Sequence, residues 1–343
     1  MTAEMLTAGV VKLIDVWVDG STTIWHEARP SEGGRQVLVV AEPDGSSRDL
    51  IDPPFSARSG VHEYGGGAAW VEDGTAWFVN WDDQRIWRQS IDGPDEPVPL
   101  TPEPDTPRTV RYADMRPSPD GDHLIAVQEV HDPADPHAVA NRVVLTSARH
   151  PAALVVVHDG HDFVMSPRFV APDRVRFIAW NHPNMPWNET SVLECSFDPT
   201  TATPRPAVPS ATGPSFMQPV GDVVISDEDG TWNLWELAGD ERHQLTSGVE
   251  EVGGPAWIFG LRDHGALADG RRVWATGGTL HVGDLAHDTG ANDLEQLAIG
   301  DDSITAIVRS PDRPATIVRF DPDDPNTSTV VVDHPPIPID DPD

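Results

Sequence analysis

Short runs of alternating apolar and polar residues, each ending at a turn, recur along most of the chain. "TAWFVNW" and "RIWRQSI" lie on either side of Asp82–Asp83, and "VVIS" and "TWNLWEL" lie on either side of Asp229–Gly230. Aromatic and β-branched residues in such runs are typical of strands, and Asp-Gly between two of them indicates a hairpin. Apolar residues at helical spacing occur only at residues 3–14, where Thr2 is a candidate N-cap. The pattern predicts an all-β protein with one short N-terminal helix.

One turn signal repeats through the sequence. In "SPDGDHLIAV" (118–127) and its relatives, a proline or an acidic residue and then Gly or Arg precede an alternating strand. The last turn residues of the copies are Gly33, Gly74, Gly121, Arg174, Asp222, Gly270 and Arg313. Successive copies are 41 to 53 residues apart, which is the period of β-propeller blades. A β-sandwich or two smaller barrels would not sustain that period, so the predicted fold class is a seven-bladed β-propeller.

The same turns set the predicted boundaries. We expect the propeller to cover residues 1–335 and an acidic, Pro-rich tail or linker to cover 336–343. The predicted blades lie near residues 13–52, 63–101, 110–158, 162–207, 214–247, 252–299 and 302–333.

The composition of the chain restricts the classes of partner that it can be expected to bind. The 343 residues include 56 acidic and 23 basic ones, a formal net charge of -33. Nucleic acids and anionic membranes are bound through Lys and Arg, so neither is an expected partner. Cys195 is the single cysteine, which excludes an intrachain disulfide and a thiolate metal cluster. The first residues lack the pattern of a signal peptide, and no apolar run approaches the roughly 18 residues of a membrane span. We therefore expect a cytoplasmic protein.

Five longer motifs resemble one known family. They are "HEYGGG" (62–67), "RYADM" (111–115), "NHPNMPW" (181–187), "GTWNLWEL" (230–237) and "GPAWIFG" (254–260). In this order they resemble the propeller domain of bacterial and archaeal serine peptidases of the prolyl oligopeptidase family, of the dipeptidyl aminopeptidase or acylaminoacyl-peptidase type. The resemblance covers essentially all of residues 1–335.

The resemblance implies a two-domain enzyme in which the propeller is a lid over an α/β-hydrolase domain with a Ser–Asp–His triad. Such a hydrolase needs a G-x-S-x-G turn for its nucleophile. This sequence has none; the nearest segment, Gly213–Met217, lacks the final glycine. We therefore expect no peptidase activity from this chain alone. Two functions stay open: the substrate-gating part of a peptidase whose hydrolase is a partner chain, and a freestanding propeller that binds peptides or another protein.

"HEYGGG" has three explanations: a phosphate loop, a strained catalytic turn, or a tight turn that another segment approaches closely. A phosphate loop needs the N-terminus of a following helix, and a strand pattern follows here instead. In the family this region faces the hydrolase, so the resemblance implies that His62, Glu63 and Tyr64 line the substrate chamber. The alternative is a buried hydrogen-bond network between blades.

"NHPNMPW" contains two prolines after a strand pattern and is therefore predicted to be a loop. Its donors, acceptors and flat apolar surface, on Asn181, His182, Asn184 and Trp187, suit a peptide or a partner domain, or else a rigid cap on the blade. We hypothesise that this loop and Tyr64 lie on one face, exposed or partly exposed.

Other candidate sites are weaker. His158 and His161 are separated by the Asp159–Gly160 turn signal, and "DPDDPN" (321–326) lacks the Gly and Glu of a calcium loop. We therefore expect no metal and no cofactor. Three tryptophans are expected to pack between blades, because aromatic residues dominate cores of this type. They are Trp232, Trp235 and Trp257.

Overall fold

The structure, a computed structural model, describes residues 11–93, 95–198, 201–248 and 250–334. These residues form seven four-stranded antiparallel sheets, and in each sheet neighbouring strands follow one another in sequence. The first sheet contains β1 (Lys12–Asp19), β2 (Thr22–Arg29), β3 (Arg35–Ala41) and β4 (Ser47–Asp49). The second contains β5 (Ala69–Glu72), β6 (Thr75–Val79), β7 (Ile86–Ser90) and β8 (Val98–Pro99). The third contains β9 (Val110–Pro117), β10 (His123–Asp132), β11 (Asp135–Ser147) and β12 (Val155–His158).

The remaining four sheets have the same order. The fourth contains β13 (Phe163–Ala171), β14 (Arg174–Trp180), β15 (Thr190–Ser196) and β16 (Val208–Gly213). The fifth contains β17 (Phe216–Val220), β18 (Val223–Ser226), β19 (Asn233–Ala238) and β20 (Glu241–Gln244). The sixth contains β21 (His264–Ala266), β22 (Arg272–Thr276), β23 (Thr279–Val282) and β24 (Leu285–Asp288). The seventh contains β25 (Asp293–Ile299), β26 (Ile304–Ser310), β27 (Arg313–Phe320) and β28 (Ser328–Val332).

Seven such sheets are the blades of a seven-bladed β-propeller, which confirms the predicted all-β class. The chain divides into two compact units. The first unit combines the part up to Ala57 with the part from Arg262 onward, and it holds the first, sixth and seventh sheets. The second unit, Arg58–Leu261, holds the second to fifth sheets.

The short N-terminal helix is not confirmed. Residues 12–14, the end of the predicted helix, begin β1, and residues 3–10 lie outside the described residues. Leu13 is fully buried and β1 pairs along its length with β2, so strand pairing overrides a weak helical periodicity. In the described part of the chain the one helical turn is a 3₁₀ turn at Pro30–Glu32. No helix in that part is long and apolar enough to cross a membrane.

The repeated turns all precede a strand, but they do not all lie in the same hairpin. Five of them join the first and second strands of a sheet, whereas Gly33 and Arg313 lie between the second and third strands. The turn signal is therefore displaced by one hairpin in the first and seventh sheets. In the seventh sheet β25 pairs with β26, so residues 293–299 belong to the seventh blade, whereas the sequence pattern placed them at the end of the sixth.

Apolar side chains from neighbouring sheets form the core within each unit. In the second unit, one buried cluster joins the second and third sheets: Trp77, Val79, Ile86, Leu100, Tyr112, Met115, Leu124, Ala126, Val144 and Ala148. In the first unit, Val273, Leu280, Ile304 and Phe320 belong to a similar cluster between the sixth and seventh sheets. Each large aliphatic or aromatic side chain buried in this way contributes about 1.5–3 kcal/mol. The cores hold the sheets rigid and leave the connecting loops to carry polar chemistry.

The first and seventh sheets meet within the first unit without sharing a strand. Side chains join them instead. The Arg319 guanidinium donates to the Thr23 hydroxyl at 2.6 Å and to the Ser21 carbonyl at 3.0 Å, and Arg309 donates to the Leu13 carbonyl at 3.3 Å. Arginine side chains therefore bridge the two ends of the chain at this junction.

Candidate functional site

The glycines of "HEYGGG" allow the backbone of another segment to approach closely. Gly66 forms a parallel bridge with Phe259, and the Phe259 N–H donates to the Gly65 carbonyl at 3.1 Å. Gly66 has a φ of 87°, and a Cβ placed on it would lie 2.5 Å from the Phe259 carbonyl oxygen. Only glycine fits both the left-handed φ and the contact. The geometry supports the third explanation of this motif, in which "GPAWIFG" is the segment that approaches.

This approach brings Trp257 to the two predicted loops. Its ring centroid lies 6.1 Å from that of Tyr64 and 4.3 Å from that of Trp187. Tyr64 is 69% exposed and Trp257 54% exposed, while Trp187 is half-buried. Met185 and Ile258, which are near Trp187 and Trp257 in the sequence, are exposed too. We call these five residues the aromatic surface; all belong to the second unit.

Trp257 was expected to pack between blades, and that expectation is wrong. Its segment is not part of a four-stranded sheet, and the bridge to Gly66 buries Phe259 while Trp257 is left half-exposed. Of the other two tryptophans, Trp232 is buried and Trp235 is half-buried.

His62 lies beneath the aromatic surface. Its ring centroid is 4.9 Å from that of Phe259 and 5.2 Å from that of Phe163, and its Nε2 lies 3.2 Å from the Asn141 amide oxygen. Burial lowers the pKa of His62, partly offset by the negative charge of Glu129 and the bond to Asn141. The ring is therefore a neutral packing and hydrogen-bonding element at pH 7.

Glu63 points toward an arginine. Its side chain is 78% exposed and pairs with the Arg111 guanidinium at 2.6 Å, which holds the pKa of this carboxyl below its usual range. Arg111 also lies 3.3 Å from Glu129, a buried carboxylate that accepts the His62 backbone N–H at 2.8 Å. These contacts hold the "HEYGGG" loop against the third sheet. Glu63 is thus an exposed residue that also takes part in the hydrogen-bond network of the loop, and the backbone of His62 belongs to the same network.

The "NHPNMPW" loop is held by Asp162. Its carboxylate accepts the His182 backbone N–H at 2.9 Å and lies 3.1 Å from His182 Nδ1, which together lower the pKa of Asp162. The Asn181 side-chain oxygen accepts the Asp162 N–H at 2.8 Å, and the Asn184 N–H donates to the Asn181 carbonyl at 3.0 Å. The structure confirms a loop here, with Asn181 and His182 exposed and Asn184 half-buried.

The two motifs share neighbours although they come from different blades. Phe163 lies 5.2 Å from His62 and 4.9 Å from His182 between ring centroids, and Asn141 donates to the Asp162 carbonyl at 2.8 Å. The candidate residues therefore form one region. Sequence reasoning missed Phe163, Asn141 and Phe259 in it, and Trp257 was assigned to packing although the "GPAWIFG" motif had marked its segment.

The chemical groups of the region are of kinds that occur in binding sites. The region presents flat apolar rings, amides and a paired carboxylate. Within the described ranges no group of three or more His, Cys, Asp and Glu side chains is placed to hold a metal ion. His158 Nε2 lies 2.8 Å from His161 Nδ1, and burial lowers the pKa of both rings.

Comparison with known proteins finds solved structures of similar fold. No family model and no curated protein matches the chain. Among solved structures, a Mycobacterium tuberculosis puromycin-hydrolysing peptidase matches with a TM-score of 0.85 and 28% identity, over 97% of this chain and 55% of that one. A puromycin hydrolase matches with a TM-score of 0.87 and 23% identity, over 99% of this chain and 57% of that one. The β-propeller domain of the trilobed protease from Pyrococcus furiosus matches with a TM-score of 0.65 and 10% identity, over 97% of this chain and 100% of that one.

The chain is thus a β-propeller of the kind that occurs in peptidases. It spans just over half the length of the two puromycin-hydrolysing enzymes. It matches the N-terminal propeller part of peptidases of the prolyl oligopeptidase family, which confirms the resemblance inferred from its motifs.

Proposed function

We propose that this chain is the substrate-gating propeller of a prolyl oligopeptidase family peptidase, and that its aromatic surface packs against an α/β-hydrolase carrying the Ser–Asp–His triad. The observation that carries the proposal is the convergence of Tyr64, Trp187 and Trp257 on one exposed surface. Large exposed apolar side chains clustered in this way are typical of interaction sites on soluble proteins.

The surroundings of the aromatic surface support the same proposal. Asn181, His182 and Glu63 are exposed polar groups of the same two loops, and hydrogen bonds to Asp162 hold Asn181 and His182 in place. An apolar centre with a polar rim is the usual anatomy of an interface. His62 takes part as a half-buried support of its loop, and Asn184 as a half-buried amide of the second loop.

A freestanding propeller that binds peptides is the second candidate. The same rings and amides suit a peptide, since stacked Tyr and Trp side chains supply large rigid contact area and amides pair with peptide backbone. Under both candidate functions the chain lacks the G-x-S-x-G turn that carries the nucleophile of an α/β-hydrolase, because this motif does not occur in its sequence.

The test first searches the gene of this chain and the adjacent genes for an α/β-hydrolase that carries G-x-S-x-G, and then uses that hydrolase as the partner. Sedimentation velocity measures the complex, and peptidase assays compare short with long peptides. We expect Trp187→Ala plus Trp257→Ala to weaken the complex at least about tenfold, as for loss of interface hot spots, and to reduce discrimination against long peptides. Val208→Ala is the control, because Val208 is 59% exposed but lies in β16.

Two results would count against the proposal. An unchanged complex in the double tryptophan variant would remove the aromatic surface from the interface. Saturable peptide binding by the chain alone, lost in the same variant and unaffected by the hydrolase, would favour the second candidate.

A further inference from the structure

Two arginines of the second unit stack on one tryptophan. The guanidinium carbon of Arg58 lies 4.1 Å from the Trp81 ring centroid, and that of Arg108 lies 4.0 Å from it. Both distances are within the range of a cation–π contact. A guanidinium over an aromatic face can still use its planar set of N–H donors for a carboxylate. Arg58 is exposed and Arg108 is half-buried, so solvent reaches both.

Among the residues that the structure describes, neither guanidinium has an acidic partner. No carboxylate of the described residues lies within 4.0 Å of Arg58 or Arg108, whereas the nearby Arg111 pairs with both Glu63 and Glu129. The chain carries 56 acidic residues against 23 basic ones, so acidic groups are plentiful. Arg108 still acts at a distance, since its charge contributes to the lowered pKa of Glu63. The two arginines form a local positive spot beside the "HEYGGG" loop.

The backbone under this spot is fixed before any ligand binds. Gln84 is fully buried; its Nε2 donates to the Arg58 carbonyl at 3.2 Å and to the Trp81 carbonyl at 3.0 Å. Its Oε1 accepts the Gly60 N–H at 2.7 Å. The Arg58 N–H donates to the Val79 carbonyl at 2.8 Å. One buried amide thus joins the segments that carry Arg58 and Trp81, and such preorganisation reduces the entropy cost of binding.

The charge of the two guanidinium groups and the distance between them indicate the class of ligand. Guanidinium groups bind carboxylates in a bidentate manner. Because both guanidinium carbons lie about 4 Å from one ring centroid, they are at most about 8 Å apart. Side chains two residues apart on an extended peptide lie on the same side and roughly 7 Å apart. A polyphosphate chain would carry many charges against a protein of net charge -33, whereas a peptide with two acidic residues carries few.

We propose that Arg58 and Arg108, held on Trp81, bind an extended peptide with acidic side chains at alternate positions. Each guanidinium takes one carboxylate, and Trp81 sets their spacing. The site shares no residue with the aromatic surface, and the proposal does not depend on whether the chain docks on a hydrolase.

The test uses the purified chain and fluorescein-labelled peptides, acetylated and amidated, at about 0.15 M salt, where the Debye length is about 8 Å. A Glu-Ala-Glu peptide is compared with a Gln-Ala-Gln peptide by fluorescence anisotropy. We expect the Glu peptide to bind at least about tenfold more tightly, and Arg58→Gln and Arg108→Gln each to remove about tenfold, as for loss of a charged hydrogen bond. Arg149→Gln is the matched control, because Arg149 is exposed and pairs with Asp122 at 3.0 Å.

Further arms separate the alternatives. A Gln-Ala-Gln peptide with a free C-terminus tests whether one terminal carboxylate suffices; binding equal to the Glu peptide would overturn the two-carboxylate site. Equal binding of the Glu and Gln peptides, or equal affinity in the wild type and in both Arg variants, would also overturn it. Thermal melts establish that the variants fold. Arg58→Lys and Arg108→Lys keep the charge without the planar fork, and we expect them to bind between wild type and Gln variants.

Discussion

The indole rings of Trp187 and Trp257 lie 4.3 Å apart between centroids, although the two residues come from separate loops. Trp257 is 54% exposed, whereas Trp232 is only 8% exposed. Removal of an exposed aromatic side chain should lower the free energy of unfolding less than removal of a buried one, and this difference can be measured.

We expect Trp257→Ala to lower the free energy of unfolding by less than about 1 kcal/mol and Trp232→Ala by about 3–5 kcal/mol, because only the second leaves a cavity. Urea denaturation followed by circular dichroism measures both. Equal losses would mean that Trp257 is a packing residue and that the aromatic surface is structural.

Gly66→Ala is expected to destabilise the chain by about 3 kcal/mol or more, because the added Cβ would meet the Phe259 carbonyl at 2.5 Å while φ is 87°. The control is Gly45→Ala, where φ is 84° and nothing lies within 4 Å; there we expect only the backbone strain of about 1 kcal/mol. Equal effects in urea denaturation would show that φ alone, and not the approach of Phe259, requires glycine.

His26 predicts a pH dependence of stability. Burial lowers its pKa to about 4, against a weaker opposing hydrogen bond to the Ala57 backbone. His26 therefore stays neutral in the folded state at pH values where it is already protonated in the unfolded state, whose histidine pKa is near 6.5. The corresponding stability is fully present above pH 6.5 and is lost as the pH falls toward 4. The loss amounts to about 3 kcal/mol.

Denaturation of His26→Gln at several pH values tests this. The variant should have a smaller decline in unfolding free energy between pH 6.5 and 4 than the wild type. His137→Gln is the control, since His137 is exposed, and its decline should match the wild type. Identical declines in all three proteins would contradict the assignment to His26.

Salt should stabilise this chain. With a net charge of -33, self-repulsion opposes the compact state, and salt shortens its range to about 10 Å at 0.1 M and about 3 Å at 1 M. We expect the melting temperature to rise clearly between low and molar sodium chloride. A flat or falling curve would mean that the acidic groups are spaced too widely to matter.

The purified chain should not hydrolyse chromogenic dipeptide or acyl-amino-acid substrates, because its sequence contains no G-x-S-x-G turn. A fluorophosphonate probe checks this independently by labelling activated serines. Labelling of a serine together with matching turnover would refute the prediction.

Much of the fold was predictable because its signals are local. Asp229–Gly230 lies between β18 and β19, and Gly121 lies between β9 and β10, as turn chemistry required. Two prolines sufficed to predict that 181–187 is a loop. Alternation and turn residues act over a few positions, so a repeated pattern specifies repeated hairpins and hence the propeller class.

The tertiary structure decided what depends on distant partners. Residues 12–14 became strand because β2 was available to pair with them. Trp257 is exposed beside the segment in which Phe259 bridges Gly66, and Arg58 and Arg108 meet at Trp81 although they lie in different segments of the chain. No local sequence pattern predicts either of these contacts, because each depends on how whole sheets pack together. The sequence by itself therefore determined the propeller class and the resemblance to peptidase propellers, and long-range packing decided which side chains share a surface.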